Sequence, residues 1–275
     1  MSQDAVHVQE ISPAYWQVTF DNPPLNVVDT AFLAGLREVV DRMEASDEVR
    51  VIVFDSAIDD FFLAHFDMTG QSVPAAREIG PSGLPGMTDL FTRLASAPVL
   101  SIAKIRGRAR GAGSEFALAC DLRFASEENA VLSQPEVGAG VIPGGGGVER
   151  LAHLVGRARA LEIIIGADDF DARTAERYGY INRAVPDAEL DAFVDAFARR
   201  VASFDKRPVA SAKQLTDRVT LPATEHLLES QTAFGRALAW PETQQRVAKL
   251  FKKGMQQPGD LEIRFGHHLA DLLED

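Results

Sequence analysis

The 275-residue sequence has little of three things: cysteine, long apolar runs and positive charge. Its one cysteine, Cys120, cannot form an intramolecular disulfide, which fits a reducing compartment. No apolar stretch approaches the roughly 20 residues that a membrane-spanning helix needs. The segment from Met1 to Glu10 lacks the basic region and following apolar run of a signal peptide. These absences predict a cytoplasmic protein that does not enter a membrane.

The charge balance narrows the expected partners. The formal net charge is -12, so nucleic acid and anionic membrane surfaces would repel the chain and neither is expected to bind. An anionic ligand would need a local positive patch. The candidate patch consists of Lys104, Arg106, Arg108, Arg110 and Arg123. No metal is expected, because the adjacent His267 and His268 lack spaced partner ligands.

Alternating strand and helix patterns predict an α/β fold. Residues 6–11, 15–20, 50–55, 98–105, 121–125 and 130–133 have the β-branched and apolar content of strands. Asp29 is a plausible N-cap for a helix reaching Ser46, with apolar residues on one face. The Gly-, Pro- and Ser-rich stretch 69–87 is typical of a mobile loop or lid.

The chain is expected to divide into two parts without a long linker. Residues 1–200 would form the α/β core that carries the active site. From residue 188 onward the patterns are almost entirely helical. Residues 201–275 are therefore predicted to be a helical region that serves packing or oligomerisation.

The first candidate for chemistry is a strand, a Gly-rich turn and a helix around Gly111 to Glu115. A helix that starts here would present unpaired backbone N–H groups and its positive dipole end. Small residues would let a ligand oxygen approach the backbone, and Glu115 would face the same side of the first turn as Ala112. The alternative is that Glu115 only complements the helix dipole and that the glycines only allow tight packing.

The second candidate is Glu136, which follows Pro135 in an irregular segment with apolar neighbours. Desolvation in such surroundings would raise its pKa and suit it to proton transfer near neutral pH. The alternative is a solvated loop glutamate. A third segment, residues 61–68, is an apolar run that reaches Asp67, and by itself it does not demand a function.

Three common enzyme classes fit these motifs poorly. A dinucleotide-binding G-x-G-x-x-G would need its third glycine where Phe116 stands. The glycines between Gly140 and Gly147 lack the Gly-Lys-Ser/Thr of a phosphate-binding loop. No G-x-S-x-G surrounds Ser114, which excludes the usual serine-hydrolase elbow.

Taken together, the three candidate segments resemble the enoyl-CoA hydratase/isomerase (crotonase) family. The matching segments are Ala64-His65-Phe66-Asp67, Gly107 to Glu115, and Ser133-Gln134-Pro135-Glu136 with Gly140, Pro143, Gly144, Gly146 and Gly147. Their order and spacing agree with the family pattern, and the match extends over roughly residues 6–215. Three linked motifs in register are far more specific than any one of them.

The resemblance implies a ClpP/crotonase-like spiral of ββα turns with C-terminal helices, assembled as a trimer or a dimer of trimers. It implies an acyl-CoA substrate whose thioester oxygen lies between the backbone N–H groups of Phe66 and Ala112. Glu136 would handle the α-carbon proton, and Glu115 would help activate the water that adds at the β-carbon. Coenzyme A would be part of the substrate, with no further cofactor. The other expected substrate contacts are Ala64, His65, Asp67, Met68, Gly111 and Val141.

Hydration of a trans-2-enoyl-CoA is the expected reaction, because both glutamates are present. The alternatives are Δ3-Δ2-enoyl-CoA isomerisation, hydrolysis or C–C cleavage of a CoA thioester, and thioester binding without catalysis. His65 departs from the family pattern, which has a glycine there. If that position needs a positive φ, His65 would be strained or the loop would differ.

Overall fold

A computed structural model describes residues 4–272 of the chain. Within this range there are ten strands and fourteen helices. The strands are β1 (Val6–Ser12), β2 (Tyr15–Phe20), β3 (Val51–Ser56), β4 (Phe61–Leu63), β5 (Leu100–Ile105), β6 (Arg108–Arg110), β7 (Leu122–Ser126), β8 (Val131–Ser133), β9 (Phe170–Asp171) and β10 (Arg183–Val185).

The helices fill the connections and the whole C-terminal region. They are α1 (Thr30–Ala45), α2 (Val73–Arg77), α3 (Gly86–Ser96), α4 (Ala112–Ala119), α5 (Glu136–Ala139), α6 (Gly147–Val155), α7 (Arg157–Gly166), α8 (Ala172–Tyr178), α9 (Asp187–Ala202), α10 (Lys206–Thr220), α11 (Thr224–Ala237), α12 (Pro241–Lys252), α13 (Asp260–Ile263) and α14 (Phe265–Asp271).

Two sheets wind around each other as a spiral. The six-stranded sheet has the order β1-β2-β3-β5-β7-β10, and the four-stranded sheet has the order β4-β6-β8-β9. Successive strands from β3 to β8 alternate between the two sheets, so each turn of the chain adds one strand to each. These pairings within each sheet are parallel. The predicted α/β spiral of ββα turns is therefore confirmed.

Helix α1 forms as its sequence predicts. Asp29 caps it, accepting a hydrogen bond from the Phe32 N–H at 2.9 Å. The apolar residues repeat at helical spacing and are all buried. They are Phe32, Leu33, Leu36, Val39, Val40 and Met43.

An aromatic cluster at the centre of the spiral fixes helix α4. The ring of Phe116 lies 5.1–6.4 Å, centroid to centroid, from five other phenylalanine rings. Those five are Phe20, Phe32, Phe54, Phe62 and Phe91. Edge-to-face packing of this kind adds to the burial of the rings. Because Phe116 adjoins Glu115, the cluster holds the carboxylate's helix in place.

Two local predictions were wrong. The segment 69–87, predicted as a loop, contains helix α2 and the start of α3. Helix α3 is held by Leu90, Phe91 and Leu94, which are fully buried. The predicted turn after β5 contains the short strand β6, which pairs with β4 and β8 and completes the second sheet.

The C-terminal helices have two kinds of partner. Helix α9 packs on the large sheet through Leu190, Val194 and Ala198. Helices α13 and α14 instead pack against α12 and the α5 region, in an apolar cluster that includes Leu250, Met255 and Phe265. The division at residue 200 stays a prediction. Across residues 4–272, no helix combines the length and apolarity needed to cross a membrane.

Candidate active site

A cleft of about 790 Å³, including the part open to solvent, lies between the segments that follow β4, β6 and β8 and the C-terminal helices. It brings together eight of the ten residues predicted for the site. These are His65, Phe66, Met68, Gly111, Ala112, Glu115, Glu136 and Val141. The segments that carry them are separated by up to 76 positions in sequence (65 to 141), so the fold has assembled the cleft from distant stretches.

The first candidate amide donor is the N–H of Phe66, which is held by a short parallel bridge to Val28. The Val28 N–H donates to the His65 carbonyl at 2.8 Å, and the Asp67 N–H donates to the Val28 carbonyl at 3.1 Å. Because N–H and C=O of a trans peptide point in opposite directions, the Phe66 N–H faces away from Val28. Among residues 4–272 it has no hydrogen-bond acceptor.

The second candidate donor is the N–H of Ala112, the first residue of α4. Gly111 has φ +51° and ψ −124°, a conformation that suits glycine, and it turns the chain from β6 into the helix. The first N–H groups of a helix have no intrahelical acceptor, and none is found for Ala112 among the described residues. A Cβ on Gly113 would lie 2.2 Å from the Leu63 carbonyl oxygen, so only glycine lets α4 approach β4 this closely.

Glu115 is buried at one side of the cleft and is held by backbone amides. Its Oε1 accepts hydrogen bonds from Gly145 N–H at 2.7 Å and Gly147 N–H at 2.9 Å. Burial raises the pKa of Glu115 to about 7, although the two N–H donors and the charge of Arg150 oppose the shift. A Cβ on Gly145 would lie 2.5 Å from Oε2, so this turn closes tightly over the carboxylate.

Glu136 begins the short helix α5 and is reached through the cleft. Its Oε2 accepts one hydrogen bond, from the Gln134 side-chain amide at 3.1 Å. Burial raises the pKa of Glu136 well above its ordinary value, and the charge of Glu115 raises it further. Two neighbouring carboxylates resist simultaneous ionisation, and the one with fewer donors keeps its proton to higher pH. Glu136 is therefore the carboxyl group that keeps its proton to higher pH, and Glu115 is the one that ionises first.

His65 occupies its position without positive-φ strain. The non-glycine residues with positive φ in the described range are Asn26, Ala167 and Gln256. The His65 ring is buried, and Nδ1 lies 2.9 Å from the Phe66 carbonyl oxygen. Its Nε2 lies 3.1 Å from Oε1 of Glu262 in helix α13. The loop thus accommodates a histidine whose ring contacts Glu262 of the C-terminal region.

Two predicted substrate contacts lie outside the cleft lining. Ala64 is buried in a small apolar cluster with Leu25 and Phe61. Asp67 accepts hydrogen bonds from Thr69, Ser72 and Gln256, and these donors lower its pKa to about 2 against the effect of burial. Neither side chain lines the cleft to which Phe66 contributes.

The predicted positive patch does not form, because its cations are used internally. Lys104 and Arg106 pair with Asp191 at 2.7 and 2.9 Å. Arg108 donates to the Ile263 carbonyl at 2.8 Å, and Arg110 to Asp169 at 2.8 Å. The side chain of Arg123 donates to backbone carbonyls of the core. Across residues 4–272, no group of three or more His, Cys, Asp or Glu side chains could hold a metal ion.

The cleft has two contrasting walls. The polar wall consists of Phe66, Ala112, Glu115 and Glu136, with the amides of Gly145 and Gly147 behind Glu115. The apolar wall consists of Phe234, Val247, Leu250, Met255 and Phe265 from the C-terminal helices. Sequence reasoning missed the apolar wall and Glu262, and helical periodicity alone could not have separated them from ordinary core residues. Gln134, Gly145 and Gly147 lay within a motif already singled out.

Comparison with known proteins agrees with this geometry. The enoyl-CoA hydratase/isomerase family model matches residues 10–257. A short-chain-enoyl-CoA hydratase of Clostridium acetobutylicum is 33% identical over 202 residues, covering 73% of this chain and 77% of that protein. A carnitinyl-CoA dehydratase of Salmonella typhi is 29% identical over 214 residues, covering 77% and 80%.

Solved structures extend the match to almost the whole chain. A Streptomyces avermitilis protein, provisionally assigned to the enoyl-CoA hydratases, has a TM-score of 0.92 and 42% identity over 98% of both chains. An enoyl-CoA hydratase from Mycobacterium avium has a TM-score of 0.80 at 23% identity, which supports the fold alone. The chain belongs to the enoyl-CoA hydratase/isomerase family, as the three linked motifs predict.

Proposed function

We propose that this protein is an enoyl-CoA hydratase, which adds water across the double bond of a trans-2-enoyl-CoA. One observation carries the proposal. Two carboxyl groups with raised pKa values, the buried Glu115 and the half-buried Glu136, share a cleft with two backbone N–H groups that lack acceptors among the described residues. The hydratase and dehydratase names of the relatives support the same class of reaction.

The amide pair would stabilise negative charge on the thioester oxygen. Addition of water to the β-carbon turns the thioester into an enolate, whose oxygen carries the new charge. The Phe66 and Ala112 N–H groups would receive it, because neither has an acceptor among the described residues. In comparable oxyanion holes, loss of one such donor costs roughly 10²–10³ in rate.

The carboxylates would divide the proton transfers. Glu115, stabilised as an anion by two amides, takes a proton from water while the water oxygen bonds to the β-carbon. Glu136, which keeps its proton to higher pH, gives that proton to the α-carbon as the enolate collapses. One proton leaves water and one reaches carbon, so the pair ends with its charges exchanged and is restored by proton exchange with solvent. Coenzyme A enters with the substrate, and the scheme needs no further cofactor.

Incubation with crotonyl-CoA in ¹⁸O-labelled water tests this function. Loss of the conjugated-thioester absorbance with one ¹⁸O in the product is the expected result. Rearrangement of a 3-enoyl-CoA without ¹⁸O uptake would instead indicate isomerisation. Release of free coenzyme A thiol would indicate hydrolysis, and tight binding without turnover would indicate a binding protein.

We further propose that the chain forms a homotrimer or a dimer of trimers in the cytoplasm. Pairs of exposed apolar residues lie one helical turn apart, Leu161 with Ile165 on α7 and Leu215 with Val219 on α10. Exposed apolar patches of this kind are typical of protein interfaces. Sedimentation should give three or six times the chain mass of 29.9 kDa.

A further inference from the structure

The His65 ring makes two contacts that a neutral imidazole cannot make together. Its Nδ1 lies 2.9 Å from the Phe66 carbonyl oxygen and its Nε2 lies 3.1 Å from Oε1 of Glu262. Both partners are acceptors, whereas a neutral imidazole carries one N–H. Burial raises the pKa of Glu262, but the charge and hydrogen bond of His65 outweigh it and lower the pKa overall. With Glu262 ionised, both hydrogen bonds require the doubly protonated, cationic ring.

Glu262 is placed to keep that cation. Its side chain is 1% exposed, and the same Oε1 accepts the Gln256 N–H at 2.7 Å. Burial lowers the pKa of His65, but the charge and hydrogen bond of Glu262, with the Phe66 carbonyl, outweigh it and raise the pKa overall. The other charged groups near the ring are Arg110, whose charge is balanced by Asp169, and Glu136.

Strand β6, which leads into helix α4, also contacts the C-terminal segment that carries Glu262. Arg110 of β6 donates to the backbone carbonyls of Glu262 and Ile263. Arg108 of the same strand donates to the Ile263 carbonyl at 2.8 Å. The C-terminal segment is thus attached to strand β6, which ends at Arg110, two residues before the second amide donor.

The His65 ring contacts the carbonyl oxygen of Phe66, the residue that supplies the first candidate amide donor. Val28 fixes the peptide unit before Phe66, and His65 Nδ1 and Val28 together fix the peptide unit after it. The position of a Cβ on Gly111 lies 3.0 Å from Glu136 Oε1 and 3.5 Å from the His65 Cβ. His65 therefore belongs to the donor peptide, and both its Cβ and the candidate acid Glu136 border Gly111.

We propose that His65 is a positioning residue, held as a cation by Glu262, which aligns the Phe66 N–H for the thioester oxygen. This inference rests on the proposed function, because it assigns that oxygen to Phe66. The C-terminal segment then contributes to catalysis through the loop, although no residue of α13 is placed among the reacting groups. A change in the charge of Glu262 should weaken the oxyanion contact more than it weakens substrate binding.

Infrared spectroscopy of bound butyryl-CoA, labelled with ¹³C at the thioester carbonyl, tests the donor directly. This saturated ester cannot be hydrated, and its carbonyl stretch falls in frequency when hydrogen bonds polarise it. Glu262→Gln keeps the shape but removes the charge, and it should lose much of the shift. Its kcat on crotonyl-CoA should fall about tenfold to a hundredfold, with KM within about threefold of wild type.

Asp260→Asn is the matched control. Asp260 lies in the same short helix, is exposed and pairs with Arg264 and His268. It should leave both the carbonyl shift and kcat unchanged. An equal loss in this variant would overturn the proposal, because it would show only that the segment had loosened. A wild-type shift and kcat in Glu262→Gln would overturn it as well.

Two further measurements extend the test, and the first of them needs no variant at all. A ¹⁵N-histidine NMR titration of the wild-type protein should show both ring nitrogens of His65 protonated to a higher pH than those of an ordinary histidine, and a ring that loses its proton at lower pH would refute the proposal. The His65→Asn, Glu262→Gln double variant should have a kcat within about threefold of the Glu262→Gln value. Multiplied losses would instead indicate independent roles. If wild type binds no butyryl-CoA at all, the proposed function itself fails.

Discussion

The polar and apolar walls of the cleft differ in how the chain supplies them. The polar wall comes from three compact motifs between Phe66 and Gly147, each positioned by strands and glycine turns. The apolar wall comes from residues between Phe234 and Phe265, on helices that join the cleft only after the spiral is complete. The difference indicates that the candidate reacting groups are encoded locally here, whereas the shape of the binding site depends on long-range packing.

The largest expected effect comes from Glu136→Gln, which changes the polar wall alone and so tests whether the chemistry depends on that wall. The amide cannot exchange a proton with the α-carbon, so hydration should fall by roughly 10³–10⁴. Exchange of the α-protons of butyryl-CoA in D₂O, followed by NMR, should also stop, while the ester still binds. Full exchange in this variant would remove Glu136 from its assigned role.

Glu115→Gln should separate the two carboxylates. The amide oxygen can still accept from Gly145 and Gly147, so the turn should keep its geometry. Hydration should fall by roughly 10²–10³, because water loses its base. Exchange of the α-protons of butyryl-CoA should persist, since Glu136 remains. If both variants lost exchange equally, the division of labour between acid and base would be wrong.

The same substitution should change how stability depends on pH. The folded pKa of Glu115 is about 7 against an ordinary 4.5, so the folded state binds more protons than the unfolded state between these values. Stability present below pH 4.5 is therefore lost as the pH rises through about 7. Glu115→Gln has no carboxyl group to ionise here. Its free energy of unfolding, relative to that of wild type, should therefore rise by about 2–3 kcal/mol from pH 5 to pH 8. Urea unfolding at both pH values measures the gain, and a constant difference would contradict the shift.

The smallest expected effect on catalysis concerns the apolar wall. Phe265→Ala should raise KM for crotonyl-CoA about tenfold, leave kcat nearly unchanged and cost about 3 kcal/mol of stability. Phe251→Ala is the matched control, because Phe251 packs on the same cluster but does not line the cleft. It should destabilise the protein without changing KM. A large loss of kcat in Phe265→Ala would mean that the two walls are not separable.

Much of the polar wall could be predicted from sequence because its determinants are close together in the chain. Gly111, Ala112 and Glu115 span less than two helical turns, and Glu136 follows a proline in a glycine-rich stretch. These patterns imply a helix start and a desolvated acid before any tertiary contact is known. The α/β alternation likewise follows from local periodicity, and α1 forms almost as its apolar face and cap predict.

The missed features depend on contacts across long distances in sequence. Strand β6 is three residues long, and its role appears only in pairing with β4 and β8. The His65–Glu262 contact joins residues 197 positions apart. The arginines after β5 looked available for an anionic ligand, but acids and carbonyls of later helices occupy them. No local pattern states which distant partner a charged side chain will find.

The two hydrogen bonds that hold the Glu115 carboxylate have a consequence for the stereochemistry of the product. Both backbone donors bind Oε1, so the carboxylate cannot rotate freely, and under the proposed function it would activate water from one fixed side. The Phe66 and Ala112 amides would fix the plane of the thioester in turn. Water can then reach only one face of the double bond, and the hydrated ester should be a single enantiomer.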